Sequence, residues 1–594
     1  MVRPLIERAL EVAEGDSVKG HIPRIILEAP TGYGKSVAAP LFASTLIKHG
    51  LSYGFIHSLP LRAIVRDLYL CLLVNSLTHD INLREKCRKS EEVLREVAEA
   101  LVSVSISVDQ VAYQMGEEIA SEVEGVRKEP LFNARYVATT LDSLAYNAFR
   151  VPVTEIFSPR KHYATPRLRI YLSTLYLDEA HTVYEEERDL EKSVTVFEEI
   201  LKISVTCNAP VIVASATLSD DEEREIIKGL REVKVVKLGR DDKREGNYVY
   251  VRDKDFEDFI KSITWRTDFL EERELVSKVR ELIESDLKVF VARDTVCSAI
   301  KTYKDLKGML GLGNEEITLL HSLMTRQDRE EALEKLSSEK IKVLVATSVV
   351  EAGVDMSFDA LITDCGRPAS IVQRVGRICR TPSTCRHGEA TIYLVRNQRL
   401  NNEVEKFVRG FKEGGKEVSW RLPYDTENQV SYMRLLNSIR RQVAKDEGLT
   451  RKLRALTNPL IISSETIGGL LRNLNYALVR TYLAEVLVDQ DRPDANIVTS
   501  LDKLAFLARR GCVGNLYVIF EDGEGETISL SRPGDKTLEN ESGILRRYFD
   551  VLRNLAKDHK LRRVSKLAYL LREGCYVDEE GVEYGVLCVQ GSGS

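Results

Sequence analysis

Short apolar runs rich in Val, Ile and Leu recur through the first 400 residues, each separated from the next by a stretch long enough for a helix. One group is RIILE (24–28), YGFIH (53–57), VSVSISV (102–108), RYVA (135–138), LYLDE (175–179) and VIVAS (211–215). A second is KVFVA (288–292), IKVLVA (341–346), ALITD (360–364) and TIYLV (391–395). Apolar, β-branched strands alternating with helices build a parallel sheet that is covered on both faces. Two groups therefore predict an α/β chain with two doubly wound parallel-sheet units, and the polar stretch GRDDKREGN (239–247) is their expected boundary. Beyond residue 400 the pattern turns to helical periodicity, apart from NLYVIFEDGEGETISLS (515–531), which reads as a hairpin around Asp522–Gly525. The expected division is residues 1–240, 241–400 and a mainly helical accessory domain at 401–590, with 591–594 (GSGS) a remnant of cloning.

Composition narrows the class. With 43% hydrophobic and 30% charged residues the chain is folded rather than disordered. No apolar run approaches the roughly 20 residues of a membrane span, and the N-terminus carries acids where a secretory signal is apolar, so no membrane partner and a cytoplasmic location are expected. A net charge of -6 excludes a surface coated in positive charge but leaves room for a local basic groove. Ten cysteines without a C-x-x-C pair give no zinc pattern; the tightest group, Cys379, Cys385 and His387, reads as thiols rather than a metal site.

The stretch EAPTGYGKS (28–36) follows one predicted strand and precedes the helix-compatible VAAPLFASTLI. Gly32 and Gly34 let the backbone turn so that N–H groups, including that of Thr31, converge on phosphate oxygens at a helix N-terminus. Lys35 is placed to reach the β- and γ-phosphates and Ser36 to hold Mg²⁺. Ala29 stands where the strict motif has glycine. In LYLDEAH, a strand delivers Asp178, a second Mg²⁺ holder, and Glu179, a base for the attacking water. In QRVGRICR (373–380), Gln373 precedes Arg374, Arg377 and Arg380; the last two, at i and i+3, share a helix face and suit arginine fingers on a γ-phosphate. ATP and Mg²⁺ are the implied cofactors.

Taken in order, these motifs resemble those of superfamily 2 helicases. SLPLRAIVRDL (58–68), TTLDSL (139–144), SAT (215–217), HSLMTRQDR (321–329) and VATSVVEAGVDMSFD (345–359) complete the series. The resemblance implies two tandem RecA-like domains with ATP between them. It implies strand contacts by Arg62, Thr140, Asp142 and Thr347, coupling of hydrolysis to movement by His181, Ser215 and Thr217, and a place beside the nucleotide for Asp355. Within the superfamily, LPLRAIV, TTLDSL, LDEAH, LLHSLMTRQDR and VATSVVEAGVD resemble the CRISPR-associated helicase of type I interference systems. That family implies a 3′-to-5′ translocase on single-stranded DNA, recruited to R-loop DNA by a crRNA-guided surveillance complex. Its helicase is often fused to an N-terminal HD nuclease. Here the phosphate loop sits near the N-terminus, and the one His-Asp pair, His79–Asp80, reads as a surface loop inside the first unit. The expectation is the helicase half, working with a separate HD-type nuclease subunit. A DNA-repair or RNA helicase of the same superfamily, and an ATP-gated clamp, are the alternatives. Arg440, Arg441, Lys445, Arg562, Arg563 and Lys566 suit either contacts to DNA or a partner, or a solvated helix face.

Overall fold

RIILE forms β1 (Arg24–Glu28), whose Ile25, Ile26 and Leu27 are fully buried because helices cover both faces of the sheet. The computed structural model describes every residue except 1–2, 88, 117–118, 120–124, 151–163, 186–189, 337, 339, 351–355, 386, 397–401, 439–444, 458–482, 491–495, 521, 523, 531–540, 559, 561–563, 573–574, 580–581 and 587–594. Beside β1 stand β2 (Gly54–Leu59), β3 (Val111–Gln114), β4 (Tyr136–Thr140), β5 (Ser173–Leu177), β6 (Val211–Ser215), β7 (Lys234–Leu238), β8 (Lys243–Glu245) and β9 (Tyr248–Val251). They make a nine-stranded sheet in the order β3-β4-β2-β5-β6-β1-β7-β9-β8, parallel except for the β8–β9 hairpin. This order makes the C-terminal ends of β5, β6 and β1 neighbours, although the three strands are far apart in sequence.

The second sheet holds β10 (Thr264–Leu270), β11 (Val289–Ala292), β12 (Ile317–Leu320), β13 (Val343–Ala346), β14 (Ala360–Asp364) and β15 (Glu389–Val395), ordered β10-β15-β14-β11-β13-β12 and parallel throughout. Both sheets have the tandem RecA-like architecture that the motif order implied.

Three expectations need correction. VSVSISV is not a strand: the helix Glu91–Val102 runs into it, with Leu94, Val97 and Leu101 on its buried stripe, and the strand follows at VAYQ. The stretch 239–247 does not separate the units, because β8 and β9 extend the first sheet to Val251. The C-terminal part is α+β rather than mainly helical. There β18 (Leu483–Leu487), β19 (Asn496–Ser500), β20 (Val513–Phe520), β21 (Gly525–Ser529) and β22 (Val564–Leu571) form a sheet in the order β19-β18-β22-β20-β21, beside the helices Leu501–Arg509 and Glu541–Lys557. The hairpin expected at 515–531 is the antiparallel pair β20–β21.

Between the second and third sheets the chain returns across both units. It forms the short parallel pair β16 (Glu417–Ser419) and β17 (Gln429–Ser431). Trp420 is buried there and its Nε1 donates to Thr267 Oγ1 at 3.0 Å, tying the segment to β10. Tyr432 OH donates to Ala216 O at 3.0 Å in the first unit. The helix Glu447–Thr457 then buries Leu449, Leu453 and Leu456 in the core of the first unit. Lys445 is ion-paired with Glu198 (2.8 Å) and Glu225 (3.1 Å), so its charge is committed within the protein. Arg440, Arg441, Arg562 and Arg563 lie outside the described residues.

The cysteines also depart from expectation. Cys71–Cys87, Cys379–Cys385 and Cys512–Cys575 are disulfides, and among the described residues no cluster of His, Cys, Asp and Glu suits a metal ion. Pairs 16 and 63 residues apart are brought together by topology, which a search for short metal-ligand spacings does not detect. No helix among the described residues is long and apolar enough to cross a membrane. Restricting the unfolded chain, the bridges Cys71–Cys87 and Cys512–Cys575 are expected to stabilise by about 3 and about 4 kcal/mol. Urea denaturation with and without reductant should show a lower midpoint in reductant, and Cys512→Ser should reproduce part of that loss without it, more than Cys71→Ser does.

Candidate functional site

The loop after β1 turns through Gly32 (φ 77°) and Gly34 (φ 101°), values that favour glycine. Gly34 caps the helix Lys35–Lys48 and offers no side-chain acceptor, which leaves the first-turn N–H groups for an anion. Lys35 is buried; its Nζ donates to Ala29 O (3.2 Å) and pairs with Glu179 Oε1 (3.4 Å). Ser36 Oγ donates to Asp178 Oδ2 at 2.6 Å, and Tyr176 OH, from β5, donates to Lys35 O at 2.8 Å. The hydroxyl, lysine and two carboxylates thus meet at the ends of β1 and β5, as the sheet order requires.

The two carboxylates differ in character. Burial pushes Asp178 up, but His57 at 3.5 Å, Lys35 and Ser36 outweigh it and hold the carboxyl below its ordinary range, so it is ionised. For Glu179 burial dominates; with the Asp178 charge it outweighs Lys35 and Arg377, and the carboxyl titrates above its ordinary range. A raised carboxylate beside an ionised one is suited to accept a proton. Glu179 has φ 50°, an uncommon left-handed conformation for a residue other than glycine, of the kind that collects at functional sites.

A polar chain links the two units. Thr31 Oγ1 donates to Gln373 Oε1 at 3.1 Å, which orients the Gln373 amide so that its Nε2 faces His181 Nε2 at 3.5 Å. His181 Nδ1 lies 3.0 Å from Ser215 Oγ, which also accepts the Thr217 N–H at 3.3 Å. Donation from Gln373 to Nε2 leaves the imidazole proton on Nδ1, facing Ser215. Burial, reinforced by Lys35, pushes His181 down to about 3, so the ring is neutral.

The second unit approaches through the helix Pro368–Val375 and the turn after it. A Cβ on Gly376 would lie 2.4 Å from Thr31 Cγ2, so glycine permits the contact; a Cβ on Gly32 would lie 3.2 Å from Arg380 Nε. Arg377 is buried and its charge reaches Glu179. The Arg374 guanidinium bonds Thr363 Oγ1 (2.8 Å) and Asp294 Oδ1 (2.9 Å) inside the second unit. The structure therefore brings together Thr31, Gly32, Gly34, Lys35, Ser36, Asp178, Glu179, His181, Ser215, Thr217, Gln373, Arg377 and Arg380. Asp355 lies outside the described residues.

The expected strand-contacting residues stand at or just after the ends of other strands. Arg62 opens the helix after β2, and its Nη2 lies 2.6 Å from where a Cβ on Gly116 would sit. Thr140 ends β4 and its hydroxyl caps the next helix by accepting the Ser143 N–H (3.3 Å); Asp142 is in that helix's first turn. Thr347 follows β13 and lines a cavity of about 290 Å³ with Thr295 and Ser322. The far wall comes from the C-terminal sheet domain: Lys503, 3.5 Å from Ser322 Oγ, and Phe506, 38% exposed, under the Arg510 guanidinium at 4.7 Å. The sequence reading missed these two. The signal was present in LDKLAFLARR, where an aromatic ring stands among basic residues on a short amphipathic helix. Arg66 and Glu330 hydrogen-bond across the two units.

His181 supplies a pH test. The folded chain keeps the ring neutral down to about pH 3, whereas the unfolded chain takes up a proton near 6.5. Its contribution to stability is complete above 6.5 and declines as the pH falls from there towards 3. Chemical denaturation at pH 7 and pH 5 should show a loss for the native chain, and a smaller one for His181→Gln.

Residues 285–383 match the family model described as CRISPR-associated nuclease/helicase Cas3, C-terminal. The chain is 22% identical over 377 residues to the CRISPR-associated nuclease/helicase Cas3 of Methanothermobacter thermautotrophicus, covering 60% of this chain and 38% of that protein. It is 26% identical over 138 residues to the ATP-dependent RNA helicase DBP8 of Kluyveromyces lactis, covering 21% of this chain and 30% of that protein. Among solved structures it is similar to that of T. fusca Cas3-ATP, with a TM-score of 0.54 and 17% identity, covering 85% of this chain and 64% of the other. The chain spans less than two fifths of the length of these two curated relatives. In motif order, sequence and fold, it resembles the superfamily 2 helicase part of Cas3 proteins.

Proposed function

We propose that this protein is an ATP-dependent DNA helicase or translocase whose work is done by closure of two motor units over one nucleotide. One observation carries the reading. Lys35, Ser36, Asp178 and Glu179 from the first unit meet Gln373, Arg377 and Arg380 from the second around one phosphate loop. A complete phosphoryl-transfer site exists only when the units are together, which couples hydrolysis to movement between them.

In this reading Lys35 and the helix N–H groups hold the β- and γ-phosphates. Glu179 orients the attacking water and takes its proton. Arg377 and Arg380 stabilise the charge that spreads over the transferred oxygens. Ser36 and Asp178, a hydroxyl and an ionised carboxylate 2.6 Å apart, fit Mg²⁺, which when bound would neutralise phosphate charge. The chain Gln373–His181–Ser215–Thr217 joins the finger-bearing helix to the strand ends of the first unit, so it suits transmission of the nucleotide state.

Nucleic acid would lie against the other face, over Arg62, Thr140 and Asp142 in one unit and Thr347 in the other. Such contacts are to phosphate and sugar, hence independent of sequence and sensitive to salt. The exposed Phe506 ring, flanked by Lys503 and Arg510, offers a stacking platform for a base and cations for its phosphates. Similarity to Cas3 proteins favours DNA, 3′-to-5′ polarity, and work beside a crRNA-guided surveillance complex on R-loop DNA with a separate HD-type nuclease. We take the three sheets as the two motor units and the accessory domain.

Lys35→Ala should abolish nucleotide turnover. Glu179→Gln should bind ATP normally yet turn over about 10²- to 10⁴-fold more slowly. Strand displacement on duplexes with 3′ or 5′ single-stranded tails, in DNA and in RNA, tests the substrate; stimulation by RNA alone would sink the DNA reading, and turnover without displacement would leave a clamp. Gly376→Ala, which drives a methyl into Thr31, should keep nucleotide binding while slowing turnover by on the order of a hundredfold, as misplacement of a catalytic group by about 1 Å does.

A further inference from the structure

Two arginines on the phosphate loop were legible in the sequence, and the fold adds a third. Arg421 belongs to the segment that joins β16 to β17, outside both parallel sheets, yet it is only 2% exposed. Its Nη1 donates to Ile378 O at 3.3 Å, the carbonyl between Arg377 and Arg380. Its guanidinium lies 5.8 Å from the centre of the Phe256 ring. That ring meets Tyr33 of the phosphate loop edge-on at 5.4 Å, and Arg3 lies 4.7 Å over Tyr33. The Nε of Arg421 is buried and meets no hydrogen-bond partner among the described residues.

Arg421 itself faces more positive than negative charge. Arg380, Arg3 and Arg377 all repel Arg421; Asp253, which accepts from Tyr33 OH (2.5 Å) and the Phe256 N–H (2.9 Å), answers Arg3. Burial, and then Arg380, Arg3 and Arg377, push Arg421 down to about 9. An arginine so placed is an uncompensated buried cation, costly unless an anion joins it. Through Phe256 and Tyr33 it stands behind the loop whose N–H groups suit phosphates.

We infer that Arg421 is a third arginine of the nucleotide site, a buried cation whose charge is answered when a nucleoside triphosphate occupies the phosphate loop. This rests on the nucleotide reading above. Arg421 acts as a positioning residue: it braces the finger turn through Ile378 O and adds positive field that rewards the full triphosphate over the diphosphate. Because its segment also bonds Thr267 of the second unit and, through Tyr432, Ala216 of the first, the region after residue 400 becomes part of the nucleotide sensor.

The test compares ATP and ADP binding in the full chain carrying Glu179→Gln, which keeps ATP intact, together with melting temperature with and without each nucleotide. Arg421→Gln keeps a donor for Ile378 O and removes the charge; Arg421→Lys restores the charge. Arg421→Gln should weaken ATP about tenfold, a typical loss for a charge-assisted contact, and ADP no more than about threefold. Without nucleotide its melting temperature should equal or exceed that of the parent, since an uncompensated charge has gone, while the rise on adding ATP shrinks. Arg421→Lys should recover most of the preference for ATP. Equal weakening of both nucleotides, an unchanged preference, or a fold that without nucleotide requires a cation at 421 would each overturn the inference. Lys35→Ala separates it from the reading it rests on: undiminished ATP binding in that variant rejects the nucleotide site itself, whereas lost binding there with an unaltered Arg421→Gln rejects only the third arginine.

Discussion

Lys35 is buried at the start of a helix, and the need to answer its charge orders much of the molecule. A buried ammonium is tolerable only with partners at close range, and Glu179 at 3.4 Å and the Ala29 carbonyl provide them. Those partners arrive because β5 and β1 flank β6 in a parallel sheet, and loops at the C-terminal ends of such strands share one edge. The crossover helices that parallel pairing demands then cover both faces, which explains why strands as short as β11 and β13 are apolar at every position. The balance is not complete, however. Glu179 stays above its ordinary range even with Lys35 and Arg377 acting on it.

The two carboxylates show how neighbouring residues take different tasks. Asp178 and Glu179 are adjacent in sequence and both are buried, but Asp178 accepts from Ser36 and faces His57, whose other nitrogen is held by Tyr136 at 3.0 Å. Glu179 leaves the strand in a left-handed turn that brings it to Lys35 and within reach of Arg377. Backbone geometry, rather than residue type, separates a carboxylate held below its ordinary range from a neighbour raised above it.

What the sequence disclosed and what it concealed divide along a physical line. RIILE, VIVAS and ALITD were readable as β1, β6 and β14 because a strand buried on both faces leaves an apolar run between polar breaks. The phosphate loop, the acidic pair and the finger helix were readable because their chemistry needs fixed residue types at fixed local spacing. β7, with lysines at two of its five positions, gave too weak a pattern. VSVSISV misled because alternation at the end of an amphipathic helix mimics a strand. The place of Arg374 was not legible: its motif is local, but its partners Asp294 and Thr363 are set by tertiary folding. Cysteine pairing and the β-rich C-terminal domain likewise depend on long-range contact, to which local spacing is blind.

That line also sorts the molecule by function. Residues at the strand ends, which the sheet topology forces together, carry the chemistry that any enzyme using this architecture requires. Residues that arrive from outside the sheets adapt it. Arg3 enters beside the first helix, Arg421 from the returning segment, and Lys503 and Phe506 from the C-terminal domain. Arg3 and Arg421 stand behind the loop after β1, and Lys503 and Phe506 line the cavity beside Thr347. Because the returning segment bonds both units, and Tyr576 of the C-terminal domain holds the Thr325 N–H at 3.0 Å and Asp328 beside the strand face, a change in how the units sit must be felt by both sets. The part of the chain without recognisable motifs is therefore the part best placed to make one face respond to the other.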